Sequence, residues 1–543
     1  MTVALGNRVA IRVHSASVVG VEGQAVEVEV VASLGLPGYH LVGLPTPSVQ
    51  EGRVRIRAAL SSSGFSLPPR KVTINLAPAD QRKDGAAFDL PVALGVLAAY
   101  GELAAESLAD RLFVGELSLD GRLRPVRGAL PTAAFAARAG LREVVVPAEN
   151  LLEAALVAPG KVIAASTLGQ VVDYLRSGAR PAVRPPDPAP PVRGEELDLA
   201  DVRGQERAKW ALVVAAAGGH HLLLLGPPGA GKSMLARRLP GLLPPLGAEQ
   251  AVETLAVYSV AGLLSVAGFP PAPPFRSPHH TISSAGLVGG GSSVRPGEIT
   301  LAHNGVLFLD ELPEFSRVAI DALREPLEEG RLTIARARAA VTFPARFLLV
   351  AAANPCPCGY YGSTQRTCRC SLELVGRYRA RVSGPILDRI DLHVQVEQPS
   401  FAELRAPAGE GETAAARTAV LEARDRQARR LRGAGVGTNG QLTARLVAQH
   451  CGIPPRSEAL LEREVGRGAL GARAVSRVLR VSRTIADLRG REAIAHEDVV
   501  LAVGMRRLDA APGPAGLLDS YAPRSHLLAG NTPGGAPGER TER

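Results

Sequence analysis

Lysine is almost missing from this chain of 543 residues. Of its 62 basic residues only Lys71, Lys83, Lys161, Lys209 and Lys232 are lysine, and all others are arginine. Aromatic residues are scarce at 4%, so the cores must be built from Ala, Val and Leu. No run of about 18 apolar residues occurs, which excludes a membrane-spanning helix. The opening MTVALGNRVAIRV lacks the charged-then-apolar layout of a secretory leader, and the expected location is the cytoplasm. Five cysteines make no disulfide framework in a chain this long. Four of them fall between positions 356 and 370, which points to a metal instead.

What is present fits a globular protein of several domains, with 46% hydrophobic and 21% charged residues. The net charge of +10 admits an acidic partner such as nucleic acid, or an arginine-biased composition of the kind a GC-rich genome gives. The surplus is concentrated: residues 412–510 hold 18 arginines against 11 acidic residues.

The stretch ARPAVRPPDPAPPVR (179–193) reads as an extended linker, and 511–543, rich in Gly and Pro, as a disordered tail. Residues 1–178 alternate strand-like runs (Val26–Ala32, Lys71–Leu76, Glu143–Pro147) with helical ones (Leu90–Ala99, Thr132–Ala139), an α/β pattern. Residues 194–405 open a strand, loop and helix order suited to a doubly wound nucleotide-binding domain. Residues 406–510 read mostly as helix and are expected to form a helical lid.

The strongest motif is Gly226-Pro227-Pro228-Gly229-Ala230-Gly231-Lys232-Ser233. Its glycines let backbone N–H groups curl around a phosphate, Lys232 reaches the β/γ oxygens, and Ser233 ligates Mg²⁺. The apolar run Leu222–Leu225 before it and the helical run after it are the context this motif needs. Some 80 residues on, Val306–Leu309 is an apolar strand ending in Asp310 and Glu311. Asp310 suits the Mg²⁺ shell, and Glu311 suits polarising the attacking water. Leu348–Ala353 is a third apolar strand, ending in Asn354, which either orients that water or simply forms a turn before Pro355. All three ends are expected at the carboxyl edge of one sheet.

Cys356-Pro-Cys358 and Cys368-Arg-Cys370 flank a nine-residue loop. Four thiolates suit tetrahedral Zn²⁺, with an iron–sulfur cluster or unligated thiols as the other readings. Cys451, alone, reads as a packing residue. Arg336 and Arg338, two apart in a strand-like run, share a face that either grips phosphates or is merely solvated. Adjacent His279 and His280 read as loop-packing residues, since neighbouring side chains diverge.

GPPGAGKS, FLDE (308–311) and Asn354 resemble AAA+ ATPases. FRSPHHTIS from Phe275, the glycines 289–291 and RPGEITLAHNGVLFLDELPEF (295–315) resemble the YifB/ComM family of magnesium-chelatase-like ATPases, and the resemblance spans roughly residues 1–508. It implies two inserts facing a ring's pore, about 262–300 and the hairpin Arg331–Phe343. GPILDRIDL (384–392) resembles the motif carrying an arginine finger, which implies that Arg389 reaches a neighbour's ATP; a structural role beside Asp388 or Asp391 is the other reading. GARAVSR (471–477) resembles the second sensor and implies that Arg473 touches its own subunit's γ-phosphate. A finger acting in trans implies a homo-oligomeric ring, most simply a hexamer.

Lys83-Asp-Gly-Ala-Ala87-Phe88 and PVRGALPTAAFAARAGLREVVVP (125–147) resemble Lon-type (S5-fold) protease domains. Ala87 stands in the place of the nucleophile and Leu130 in that of the lysine base, so the fold is expected without the peptidase. The family implies an ATP-hydrolysing motor on single-stranded or branched DNA, a helicase or branch-migration activity that integrates incoming DNA in natural transformation. A chelatase motor subunit and a DNA-binding scaffold that uses ATP only to assemble are the competing readings.

Overall fold

The computed structural model describes residues 10–43, 46–79, 83, 85–183, 197–264, 272–291, 294–336, 339–363, 366–405, 407, 409–468 and 470–506. Most of the expected linker, the expected tail and Arg338 lie outside these residues.

The N-terminal sheet has seven strands: β1 (Ile11–Val19), β2 (Glu22–Ser33), β3 (Gly38–Val42), β4 (Lys71–Ala77), β5 (Arg111–Phe113), β6 (Glu143–Pro147) and β7 (Val162–Ala165). Their order is β3-β4-β2-β1-β5-β6-β7. The antiparallel half (β1, β2, β4) comes from alternating sequences: β4 buries Val72, Ile74 and Leu76 on one face. The parallel strands β5, β6 and β7 are mostly buried, most fully in EVVVP of β6. Among the helices packed around the sheet are α1 (Pro47–Ser62), α2 (Asp89–Ala99) and α3 (Ala129–Arg138). The middle one is buried from Asp89 to Ala98, because it lies between the sheet and α1 and has no solvent face.

The second unit is built on α4 (Glu206–Gly218), β8 (Leu222–Leu225), α5 (Lys232–Leu242) and α6 (Ala248–Ala261). Further along come β9 (Phe275–Arg276), β10 (Val306–Leu309), β11 (Arg331–Arg336), β12 (Ala339–Pro344), β13 (Leu348–Ala353) and β14 (Leu392–Gln395). Five of these strands form a wholly parallel sheet in the order β9-β10-β13-β8-β14. Leu225 pairs with Ala353, and Leu309 with Ala351, so the carboxyl ends of the three apolar strands lie at one edge. β11 and β12 form a separate antiparallel hairpin.

The C-terminal region is helical, with α7 (Glu412–Arg430), α8 (Ala472–Leu488) and α9 (His496–Gly504) among its elements. Val420, Val478, Ile485 and Val499 join Leu222 and Val350 in one apolar core, so these helices pack back onto α4 and the sheet. The arginine surplus is partly internal. Arg430 and Arg483 both pair with buried Asp487, Arg489 with buried Asp498, and Arg424 donates to Ala216 O. Charge counting reads these as surface because it cannot see their partners.

Candidate nucleotide site and its surroundings

The loop 226–233 leaves the end of β8 and runs directly into α5. A Cβ on Gly226 would collide with Val396 O, and Gly229 and Gly231 take φ of 77° and 89°, so the loop is a cradle that glycine alone allows. Lys232 is buried; its Nζ donates to Gly226 O (2.7 Å), Pro227 O (2.9 Å) and Asn354 Oδ1 (3.0 Å). Burial lowers its pKa, against the opposing pull of Asp310 and Glu311. Ser233 Oγ donates to Asp310 Oδ2 at 2.6 Å. Two oxygens so placed beside a helix N-terminus are the hard donors a Mg²⁺–phosphate pair takes. Lys232, Ser233, Asp310, Glu311 and Asn354 thus come to one sheet edge from three strands.

Glu311 itself sits in the left-handed region at φ 53°. That turn sets its carboxylate beside His280, whose Nδ1 lies 3.2 Å from Glu311 Oε2. The ring of His280 also stands edge-on to Phe315. The loop-packing reading of His280 is therefore incomplete. Thirty-one positions separate the two residues, and no local pattern links them.

Arg389 donates to Pro385 O and pairs with Glu328, not with Asp388 or Asp391. It shares a pocket of about 220 Å³ with Glu328, Asp388, Arg473, Ser476, Arg477 and Arg480. The next turn of α8 fixes where this pocket is. Arg477 Nη1 donates to Asp391 Oδ1 at 2.6 Å, and Asp391 N donates to His221 O, just before β8 begins. The pocket therefore adjoins the amino edge of the sheet. The glycine loop is at the carboxyl edge, about 13 Å of strand away at 3.3 Å per residue. Arg473 lines this pocket, and Arg477 pins α8 at this edge. Asp391 is the pin; burial would raise its pKa, but His220 and Arg477 hold it well below the usual carboxylate range.

The four thiols of Cys356, Cys358, Cys368 and Cys370 lie within 4.8 Å of one another. The sulfur separations among Cys356, Cys358 and Cys368 are 3.3–3.6 Å. Zinc–sulfur bonds of about 2.3 Å make a tetrahedron with edges of about 3.8 Å, so the set fits the metal. Tyr361 N and Cys370 N donate to Cys356 Sγ and Cys368 Sγ, as amides do around thiolates. The loop also touches the glycine loop, since a Cβ on Gly359 would strike the ring of Pro228. Cys451 is buried, packed in the core of the C-terminal helices. Arg336 closes β11, paired in register with Ala339.

A P-loop at the end of a parallel sheet, followed two strands away by an Asp-Glu pair, defines a P-loop ATPase of the AAA+ class. The family model for magnesium chelatase, subunit ChlI, matches residues 198–404, and those for subunit ChlI of Mg-chelatase and its C-terminal region match 26–150 and 410–506. The YifB protein of Salmonella typhimurium is 44% identical, over 92% of this chain and 97% of its own. The competence protein ComM of Haemophilus influenzae is 44% identical, over 91% of this chain and 97% of its own. The chloroplastic magnesium-chelatase subunit ChlI of indica rice is 26% identical over 22% of this chain. The chain belongs to the YifB/ComM family of magnesium-chelatase-like proteins and is an ATPase motor of that family.

Proposed function

We propose that the chain is a ring-forming motor that hydrolyses ATP with Mg²⁺ to drive helicase or branch-migration work on DNA, as its likeness to a competence protein suggests. The observation that carries the ring is the split of the site across the sheet. Lys232, Ser233, Asp310 and Asn354 face one edge, and the pocket of Arg389 and Arg473 adjoins the other. A cationic pocket that cannot reach its own chain's phosphates is complementary to a neighbour's, so both arginines act in trans. Most simply the ring is a hexamer.

Within the site, Lys232 binds the β/γ oxygens, and Ser233 and Asp310 hold Mg²⁺, which neutralises phosphate charge. Glu311 takes the proton of the attacking water, and Asn354 orients it. The metal at the four cysteines is zinc, a closed structural site. Arg336, at the end of β11, and Arg338 contact DNA phosphates in the pore. The chelatase reading is disfavoured by the short rice match set against near full-length matches to YifB and ComM.

ATP turnover measured without DNA and with single-stranded, forked and four-way DNA tests this reading. Stimulation by one or more of these DNAs, with strand displacement, is expected. Turnover indifferent to all three refutes the DNA assignment.

A further inference from the structure

The N-terminal domain and the ATPase unit meet along one face of α6, and that face is built for docking. Val252, Leu255, Ala256 and Ser259 recur at helical spacing along α6. Leu130, at the start of α3, packs with Leu255 and Ala256 in a separate apolar cluster that also takes in Val21, Leu156, Val157, Val252 and Leu264. Leu130 is 1% exposed and is buried by this contact with the other domain.

Polar groups close the joint. Gly128 N donates to Ser259 O at 3.1 Å, and Leu130 N to Ser259 Oγ at 3.4 Å. Ser259 Oγ in turn donates to Glu153 Oε2 at 2.6 Å. Glu153 is buried and also takes a hydrogen bond from Asn150, whose side chain bridges both backbone groups of Val126. One hydroxyl of the ATPase unit therefore completes a buried network belonging to the N-terminal domain. At the helix end a Cβ on Gly262 would lie 2.7 Å from Arg127 Nε.

The other face of α6 grips the approach to β10. Tyr258 OH donates to Leu301 O, His303 pairs with Glu253, and Asn304 Nδ2 donates to Gln250 O and Thr254 Oγ1. Two residues after Asn304 begins the strand that ends at Asp310 and Glu311. A second contact lies elsewhere on the domain. The β1–β2 turn at Gly20 is so close to the β11–β12 hairpin that an added Cβ would lie 2.7 Å from Thr342 O.

We propose that the N-terminal domain is a brace: its groove at Leu130 and Glu153 is occupied by α6 of its own chain, which sets Ser259 into it, and through α6 and Gly20 it couples the nucleotide site to the β11–β12 hairpin. A groove filled by its own chain has no room for a polypeptide substrate, in keeping with the missing hydroxyl and amine. The proposal rests on the ATPase reading but not on DNA as the substrate.

The test follows hydrogen exchange by mass spectrometry in the full chain carrying Glu311→Gln, with and without ATP and Mg²⁺, and in the same chain with Leu130→Arg added. In the parent, nucleotide is expected to change exchange in 331–344. Leu130→Arg is expected to speed exchange across 248–264 by roughly tenfold and to abolish the nucleotide effect on 331–344. Should that chain not fold, Ser259→Ala removes only the hydroxyl that completes the network and is expected to act in the same direction. Unchanged exchange in 248–264 overturns the docking. A nucleotide effect on 331–344 that is absent from the parent, or persists in the variants, overturns the coupling. Failure of DNA to stimulate the wild type removes the DNA reading alone, since no step here uses DNA.

Discussion

His280 Nδ1 stands 3.2 Å from Glu311 Oε2, so the carboxylate proposed to take a proton from water is engaged by a side chain from the segment after β9. A carboxylate held by a neighbouring side chain must let go of it before it can serve an attacking water. His280→Ala is expected to raise ATP turnover without DNA by about 2- to 5-fold. Glu311→Gln is expected to lower it by at least about 100-fold while keeping ATP binding. A fall in turnover for His280→Ala would mean that the histidine aims Glu311 at its water.

The trans assignment predicts complementation. Lys232→Ala and Arg389→Ala chains are each expected to be inactive alone and to recover part of the turnover when mixed. Mixed rings contain interfaces with an intact loop on one side and an intact arginine on the other. Arg473→Ala mixed with Lys232→Ala should behave the same way, whereas an arginine serving its own chain in the same site gives a different ratio dependence. Normal turnover by Arg389→Ala alone would discard the finger.

The thiol cluster predicts about one zinc per chain in protein prepared without chelator, lost in Cys368→Ser. Because Gly359 abuts Pro228, the loss should reach the nucleotide. An ordering penalty on the order of 1 kcal/mol would weaken ATP binding roughly 5-fold. Metal analysis and nucleotide titration on the same samples read both effects, and zinc-free protein with full affinity removes the link.

His221 accepts a hydrogen bond from Leu349 N at Nδ1 (3.0 Å), and burial holds its pKa at about 4, below the usual 6.5. A depressed folded-state pKa means that the unfolded chain takes up a proton the folded chain refuses. The associated stability is complete above pH 6.5 and is lost as pH falls towards 4, about 2 kcal/mol at pH 5. Thermal unfolding at pH 7.5 and pH 5 should show a smaller acid loss for His221→Asn, which keeps an acceptor and removes the titration. An equal loss would place the acid sensitivity elsewhere.

Replacing both Arg336 and Arg338 by Ala is expected to weaken DNA binding and lower the salt slope by about 2, with ATP turnover in the absence of DNA retained. Wild-type salt dependence and unwinding would leave the hairpin as a solvated strand pair.

The glycine loop was legible because eight consecutive residues carry its whole geometry, and the strand before it is written in four leucines. The Asp-Glu pair and Asn354 were legible for the same reason: each ends an apolar run, and parallel register then brings the ends together. His280 was not, because its partner is set by a left-handed turn at Glu311 and a loop path that no periodicity encodes. The motif around Arg473 announced an arginine but not its sheet edge. That depends on Asp391, His220 and Arg477 meeting in space from three distant segments. The stripe on α6 has nothing in its sequence to set it apart from any helix face, and only the fold reveals that a different domain covers it.

Under the trans assignment, the separation of the glycine loop from the arginine pocket makes dilution a control on the enzyme. If each protomer holds half of every site, specific activity must rise with protein concentration and plateau once subunits associate. Assays run well below that concentration would report an inactive protein whose fold, metal and nucleotide affinity were all intact.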